Sequence, residues 1–272
     1  ERMETAFRNC EKLQKHMRLL LDKGGLYKIY NGNLLFHGCI PLNEDGSLKE
    51  IQIYGKKYKG RELYDVLETY VRRAFFAVDS AEQRKGMDIL WFIWASPSSP
   101  LFGKDKMTTF ERYFIADKET HKETKGAYYH LLENEEVVDT LLQEFDLSPE
   151  NGHIINGHVP VHQGEGESPV KCNGKVIVID GGFCKAYQKV TGIAGYTLIY
   201  NSYGLILSAH EPFTSKEDAV SKESDIVSNR VSVHYTSKRR LVGDTDTGKA
   251  LRERIEELMQ LLDAYRKGYI KE

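Results

Sequence analysis

The sequence predicts an α/β fold. Short apolar runs of strand length, such as those ending at His37 and His158, alternate with longer stretches whose apolar residues recur at helical spacing. Glycine, asparagine and proline punctuate the boundaries between them. Residues 1–22 form an amphipathic helical pattern with Phe7, Leu13, Met17, Leu20 and Leu21 toward one face, stopped by Lys23-Gly24-Gly25. The stretch 26–33 reads as strand, tight turn, strand, because Asn31-Gly32 is a strong hairpin dipeptide. His37 emerges from the second of these strands. Residues 43–46 make a turn, and 51–58 form a small exposed hairpin around Gly55. Helical periodicity then runs through 61–78 by way of Leu63, Val66, Leu67, Tyr70 and Phe75.

The apolar run from Ile89 to Ala95 is predicted to be a buried strand over 88–95, followed by a proline-punctuated loop at 96–104. A second amphipathic helix covers 126–145, with Tyr128, Leu132, Val137, Leu141 and Leu142 on one face and Ser148-Pro149 closing it. From 153 to 208 the pattern is strand-rich, with strands at 175–180, 196–200 and 205–207 and turns at Gly181-Gly182 and Tyr203-Gly204. The remainder, 216–272, is polar and finishes in a helix over 249–266. The expected organisation is a helix and sheet segment at 1–60, a helical insertion at 61–150, a strand-rich part at 151–210 and an extension at 211–272. Neither internal repeats nor low-complexity tracts interrupt it.

At 272 residues the chain can bury a substantial core. Charged residues make up 29% and the formal net charge is −2, which gives no general attraction to nucleic acid or membrane. The longest apolar run is far too short for a membrane span. Cys10, Cys39, Cys172 and Cys184 are widely spread with no CxxC pair, arguing against a zinc knuckle or redox motif and for a reduced, cytoplasmic setting. The chain opens without an initiator methionine and already in a helical pattern, so a fragment of a longer protein is expected. Residues 243–249 fit GxxxxGK ahead of a helix, but Ala250 offers no hydroxyl for magnesium, and Asp244 and Asp246 would repel phosphate. A loop in which a threonine or aspartate caps the last helix is the better reading.

The chemistry concentrates in two stretches that run through apolar residues to a histidine beside a glycine, at His37-Gly38 and Gly157-His158. A histidine where a strand leaves the sheet, with glycine permitting a sharp turn beneath it, is a plausible metal ligand, and ligands in α/β folds gather at such strand ends. Two imidazoles fill half a divalent site at most, and neither has a second histidine at helical spacing.

The strings from Tyr30 to Asn43, Trp94 to Lys104 and Asp180 to Tyr187 resemble the class III fructose-1,6-bisphosphatases of bacteria, within the calcineurin-like metallophosphatases. The likeness spans essentially the whole chain. The family's Asp-x-His, Gly-Asp-x-x-Asp-Arg-Gly and Gly-Asn-His-Glu motifs are absent, so the chain resembles the C-terminal portion of such an enzyme. The resemblance implies a metallophosphatase-type β-sandwich flanked by helices and only partly contributed by this chain, with a helical insertion. It implies that His37 and His158 ligate the same one of two divalent metals, by family habit manganese, while the other ligands come from the missing N-terminal portion. Pro160 stands where many relatives in the superfamily place a further imidazole, and His162 is one step too far for that role. The implied activity is hydrolysis of fructose 1,6-bisphosphate to fructose 6-phosphate and phosphate, in gluconeogenesis, with this chain inactive alone. Expected partners are the sugar bisphosphate, the missing portion and further copies of the chain. Lys104, Lys106, Arg112, Lys185, Lys189 and Tyr187 are candidates for the second phosphate and the sugar, arginine by two-pronged hydrogen bonding and lysine as a point charge. The rival readings are a metallophosphoesterase acting on phosphoproteins or dinucleotides, and a non-catalytic binding module with a phosphatase-like sheet.

Overall fold

A computed structural model of the chain describes residues 1–180, 183–212, 215–223 and 228–270. It divides into two units: 1–160 with 169–178, and 161–168 with 179–272. Among the described residues no helix is long and apolar enough to cross a membrane. The four cysteines are free, Cys39 and Cys172 buried and Cys10 and Cys184 exposed.

The first unit opens with helices α1 (Arg2–Arg8) and α2 (Glu11–Lys23), so the single helix expected over 1–22 is broken at Asn9-Cys10, where Cys10 adopts extended backbone. Strands β1 (Tyr27–Tyr30) and β2 (Asn33–Phe36) form the expected hairpin. Asn31 and Gly32 both sit at positive φ, 52° and 78°, the pairing a tight two-residue turn demands. A second small hairpin, β3 (Ile51–Ile53) with β4 (Lys56–Tyr58), turns at Tyr54-Gly55 in the same way. Helix α3 (Gly60–Phe76) follows close to its expected limits.

The strand expected over 88–95 is instead the second half of helix α4 (Ser80–Ala95). An apolar run of this length does not distinguish a buried strand from a helix, and the flanks decide it. Asp79 accepts a hydrogen bond from the Glu82 N–H and caps the helix. Gly86, Ile89 and Ile93 then fall on one buried face against α3 while Trp91 and Trp94 turn outward. A Cβ at Gly86 would collide with the α3 backbone at Tyr70 and Ala74, so the absent side chain sets how closely the two helices approach.

A short helix α5 (Thr109–Phe114) leads to α6 (Tyr128–Leu131) and α7 (Glu135–Glu144). One helix was expected over 126–145; Asn134 breaks it because its side chain accepts from the Val137 N–H and starts α7 afresh. The main sheet is completed by β5 (His153–Asn156), β6 (Val170–Lys171) and β7 (Val176–Val178), in the order β1-β2-β5-β7-β6. The β2-β5-β7 centre is parallel, with Leu34 opposite Ile154 and Ile154 opposite Val176, and both edges are antiparallel. All residues of β5 and β7 are buried, the near-continuous apolar pattern of a parallel sheet covered on both faces. Beside it Tyr27, Phe36, Tyr64, Tyr128 and Phe145 pack edge to face, with ring centroids 5.1 to 6.2 Å apart.

The second unit carries α8 (Lys185–Thr191) and an antiparallel sheet of β8 (Gly195–Asn201), β9 (Gly204–His210) and β10 (Ser228–Tyr235) in the order β10-β9-β8. Between β9 and β10 lies α9 (Lys216–Ser221). Neither α9 nor β10 was expected; β10 is mostly exposed and mixes polar with apolar residues, so alternation does not mark it. Helix α10 (Asp246–Arg266) ends the chain, capped by Thr245, whose hydroxyl accepts from the Gly248 N–H at 3.1 Å. The GxxxxGK match is thus a helix cap, as its carboxylates suggested.

Candidate metal centre at adjoining strand ends

The parallel pairing of β2 with β5 brings two distant segments of sequence side by side. The ladder continues past both strands, with the Gly157 N–H donating to the His37 carbonyl at 3.1 Å. His37, one residue past β2, and His158, two residues past β5, therefore emerge at the same end of the sheet, the end where ligands collect in α/β folds. His158 Nδ1 and His37 Nε2 face each other at 3.2 Å, and the ring centroids are 5.0 Å apart.

The tautomer of His158 follows from its other nitrogen. Nε2 lies 3.0 Å from the Phe102 carbonyl, which can only accept, so Nε2 carries the proton and Nδ1 presents its lone pair toward His37. Metal-binding histidines are held in this manner, by a hydrogen bond from the nitrogen away from the metal. Two nitrogens each about 2.1 Å from one cation lie roughly 3.0–3.4 Å apart, and the observed separation falls in that interval. Nearby, Asn156 is buried; its Nδ2 donates to the Gly38 carbonyl at 3.4 Å, while its Oδ1 has no hydrogen-bond partner among the described residues. Such an orphaned acceptor fits a site that takes a polar ligand. These donors fit a divalent cation in kind, though not in number, because no group of three or more His, Cys, Asp or Glu side chains able to hold a metal occurs among the described residues.

Two elements, the 96–104 loop and α3, fix the backbone just after the first histidine. Gly38 lies so close to the 96–104 loop that a Cβ would strike the Pro100 carbonyl and stand 2.9 Å from the Leu101 Cα. The next residue ties the same loop down, the Cys39 N–H donating to the Pro100 carbonyl at 2.7 Å. From α3, the buried Tyr64 hydroxyl donates to the Cys39 carbonyl at 2.9 Å. Burial pushes the Cys39 thiol up to about 12, so this cysteine behaves as a small hydrophobe. His158 itself has φ 72°, in the left-handed region, at a cost of roughly 1–2 kcal/mol for a residue with a Cβ. Backbone of this kind clusters where a side chain must be aimed.

Of the candidate phosphate-binding cations, Lys104, Lys106 and Arg112 belong to the first unit. Lys104 Nζ is 2.7 Å from Glu123, and the Thr108 N–H and hydroxyl donate to the same carboxylate at 3.0 and 2.8 Å. Arg112 stands 4.0 Å from Glu123 and donates to Thr108 Oγ1 and the His121 carbonyl, at 3.0 Å each. Lys106 donates to the Thr120 carbonyl at 3.4 Å. Burial alone would raise the Glu123 carboxyl, but the Lys104 ammonium and the Thr108 donors outweigh it and hold the group down at about 2. Glu123→Gln is expected to cost about 1–3 kcal/mol at neutral pH, the penalty for weakening charge-assisted bonds. Because the folded pKa lies below the unfolded one, this contribution is complete above the ordinary glutamate range and fades as pH falls toward 2. Denaturant melts of both proteins should converge over that interval, and a constant difference would refute the assignment. Lys185 and Lys189 are exposed on α8 of the second unit, and the side chain of Tyr187 on the same helix lies outside the described residues, as do Gly181 and Gly182.

A cleft of about 360 Å³ in the first unit is lined by Cys39, Lys49, Lys104, Lys125 and Tyr128 among others. Lys49, Lys125, the Phe102 carbonyl and the Asn156 amide carry no chemical signature of their own in the sequence. Only the proline-punctuated loop offered a signal, since Phe102 belongs to it.

A family model for Firmicute fructose-1,6-bisphosphatase matches residues 1–267. Among curated proteins, the class 3 fructose-1,6-bisphosphatase of Clostridioides difficile (strain 630) is 57% identical over 273 aligned positions, and those of Clostridium tetani (strain Massachusetts / E88) and Clostridium botulinum (strain Loch Maree / Type A3) are 55% and 54% identical. Each alignment takes in all of this chain and 41% of the relative, so the chain spans well under half their length. No solved structure matches. With the family model covering nearly every residue and the relatives aligning along the full length, the chain belongs to the Firmicute fructose-1,6-bisphosphatase family.

Proposed function

We propose that this chain supplies one part of a binuclear metal centre in a longer enzyme that hydrolyses fructose 1,6-bisphosphate to fructose 6-phosphate and phosphate, the gluconeogenic step. The observation that supports it most is the pair of imidazole nitrogens, from neighbouring parallel strands, facing each other at 3.2 Å. When bound, a pair of divalent cations neutralises charge on the phosphoryl oxygens and activates water for in-line attack. In this reading His37 donates through Nε2 and His158 through Nδ1, and the Phe102 carbonyl keeps the His158 ring from turning. The carboxylates that complete the set come from segments outside this chain, and they also complete the metallophosphatase-type sandwich around β1-β2-β5-β7-β6. A mixed imidazole and oxygen set suits manganese. Lys49 and Lys125, lining the cleft beside Lys104, are the cations we assign to the second phosphate.

The test compares the complete enzyme with this chain alone. The complete enzyme should release phosphate from fructose 1,6-bisphosphate, lose activity on chelation and regain it with Mn²⁺, whereas the chain alone should be inert. Preference for a phosphopeptide or dinucleotide would replace the sugar assignment. An inactive, metal-free complete protein would point to a binding module.

A further inference from the structure

Helix α10 spans 21 residues, yet Gly248 alone among them is buried, and its main contact is the turn Val242–Asp244 at its own start. Leu251, Ile255, Leu258, Leu262 and Tyr265 recur at alternating spacings of four and three, and Tyr269 continues the series past the helix. This is the 3.5-residue repeat of a two-stranded coiled coil, with Ile255 and Leu262 at one core position and Leu251, Leu258 and Tyr265 at the other. Met259 and Leu261 flank the stripe, and all seven helical side chains named are between 44% and 65% exposed. Glu253, Glu256, Glu257 and Asp263 occupy the opposite, outer positions. An apolar stripe of this length backed by charge is built to be covered.

We propose that a second copy of this chain covers it, in a parallel coiled coil formed by α10 from each protomer. The area is sufficient: the seven side chains expose on the order of 700 Å² per copy, so pairing removes about 1,400 Å², within the range of stable interfaces. Charge selects the direction. Parallel pairing places Arg254 beside Met259 of the partner subunit and Leu261 beside Arg266 of the partner subunit, with no like charges opposed. Antiparallel pairing would set Arg252 against Arg266 of the partner subunit twice over. Isoleucine at Ile255 with leucine at Leu258 is also the core combination that favours two strands.

Light scattering coupled to gel filtration on the complete enzyme, over a micromolar concentration series, tests this. The wild type should show twice the mass of one complete chain. The double variant Ile255→Lys, Leu262→Lys should show the single mass with unchanged far-UV circular dichroism, since lysine keeps helix propensity. If helicity falls, Ile255→Ala with Leu258→Ala, the better helix formers, should still weaken the dimer at least tenfold. A monomeric wild type overturns the proposal and leaves the stripe to another partner, and a dimer that survives both variants overturns it by placing the interface elsewhere. With Cys10 and Cys184, both exposed, replaced by serine, Leu251→Cys should cross-link to its copy on mild oxidation, because antiparallel pairing would hold the two copies at opposite ends of the helix pair, and failure to do so overturns the parallel direction.

Discussion

Replacing either His37 or His158 by alanine in the complete enzyme is expected to lower turnover by more than about 100-fold, since even partners of metal ligands commonly cost 10–100-fold. The fold should survive. His37 is an exposed residue past the end of β2, and neither ring belongs to the buried core. The informative comparison is metal content: each variant should retain less bound cation than the wild type while melting within a few degrees of it in the presence of chelator. Turnover equal to the wild type in either variant would remove that histidine from the site. The order of the two effects also matters. His158 has its second nitrogen fixed by the Phe102 carbonyl at 3.0 Å, and that bond settles which nitrogen faces His37.

Gly38→Ala should produce the second large effect, through displacement. The new methyl group would overlap the Pro100 carbonyl and press on the Leu101 Cα, both backbone and therefore unable to swing aside. Overpacking of this kind costs about 1–3 kcal/mol. Gly38 is not at positive φ, so the penalty is one of space. Relief requires the 96–104 loop to move, carrying the Phe102 carbonyl away from His158 and dragging on Cys39 beside His37. A displacement near 1 Å at a reacting centre can cost on the order of 100-fold in rate. Thermal melting and turnover on the same preparation check both halves. A variant that is destabilised yet fully active would show that the loop does not set the histidine geometry.

The legible parts of this fold were those written in local chemistry. Asn31-Gly32 and Gly55 favour left-handed backbone, so both hairpins could be read directly, and a threonine or aspartate cap was legible ahead of the last helix, which begins at Asp246, three residues before the expected 249. The two histidines were legible because each lies just past an apolar strand; that those two strands pair in parallel is seen only in the fold. The run from Ile89 to Ala95 misled because tryptophan and isoleucine favour strands, while its helical fate rests on Asp79, ten residues upstream, and on the fit of Gly86 against α3. Beyond reach were the Phe102 carbonyl, a backbone group with no side-chain signature, and the ion pair that engages Lys104 with Glu123, nineteen positions away. Charge type predicts what a lysine could bind; only the fold shows what already occupies it.

The left-handed backbone at His158 puts two selective demands in opposition on one residue. Glycine there would relax the chain by about 1 kcal/mol and delete the imidazole. The most comfortable residue for the main chain therefore cannot fill the ligand role proposed for His158, and sequence optimisation guided by thermal tolerance alone would drift toward a sturdier protein without that imidazole.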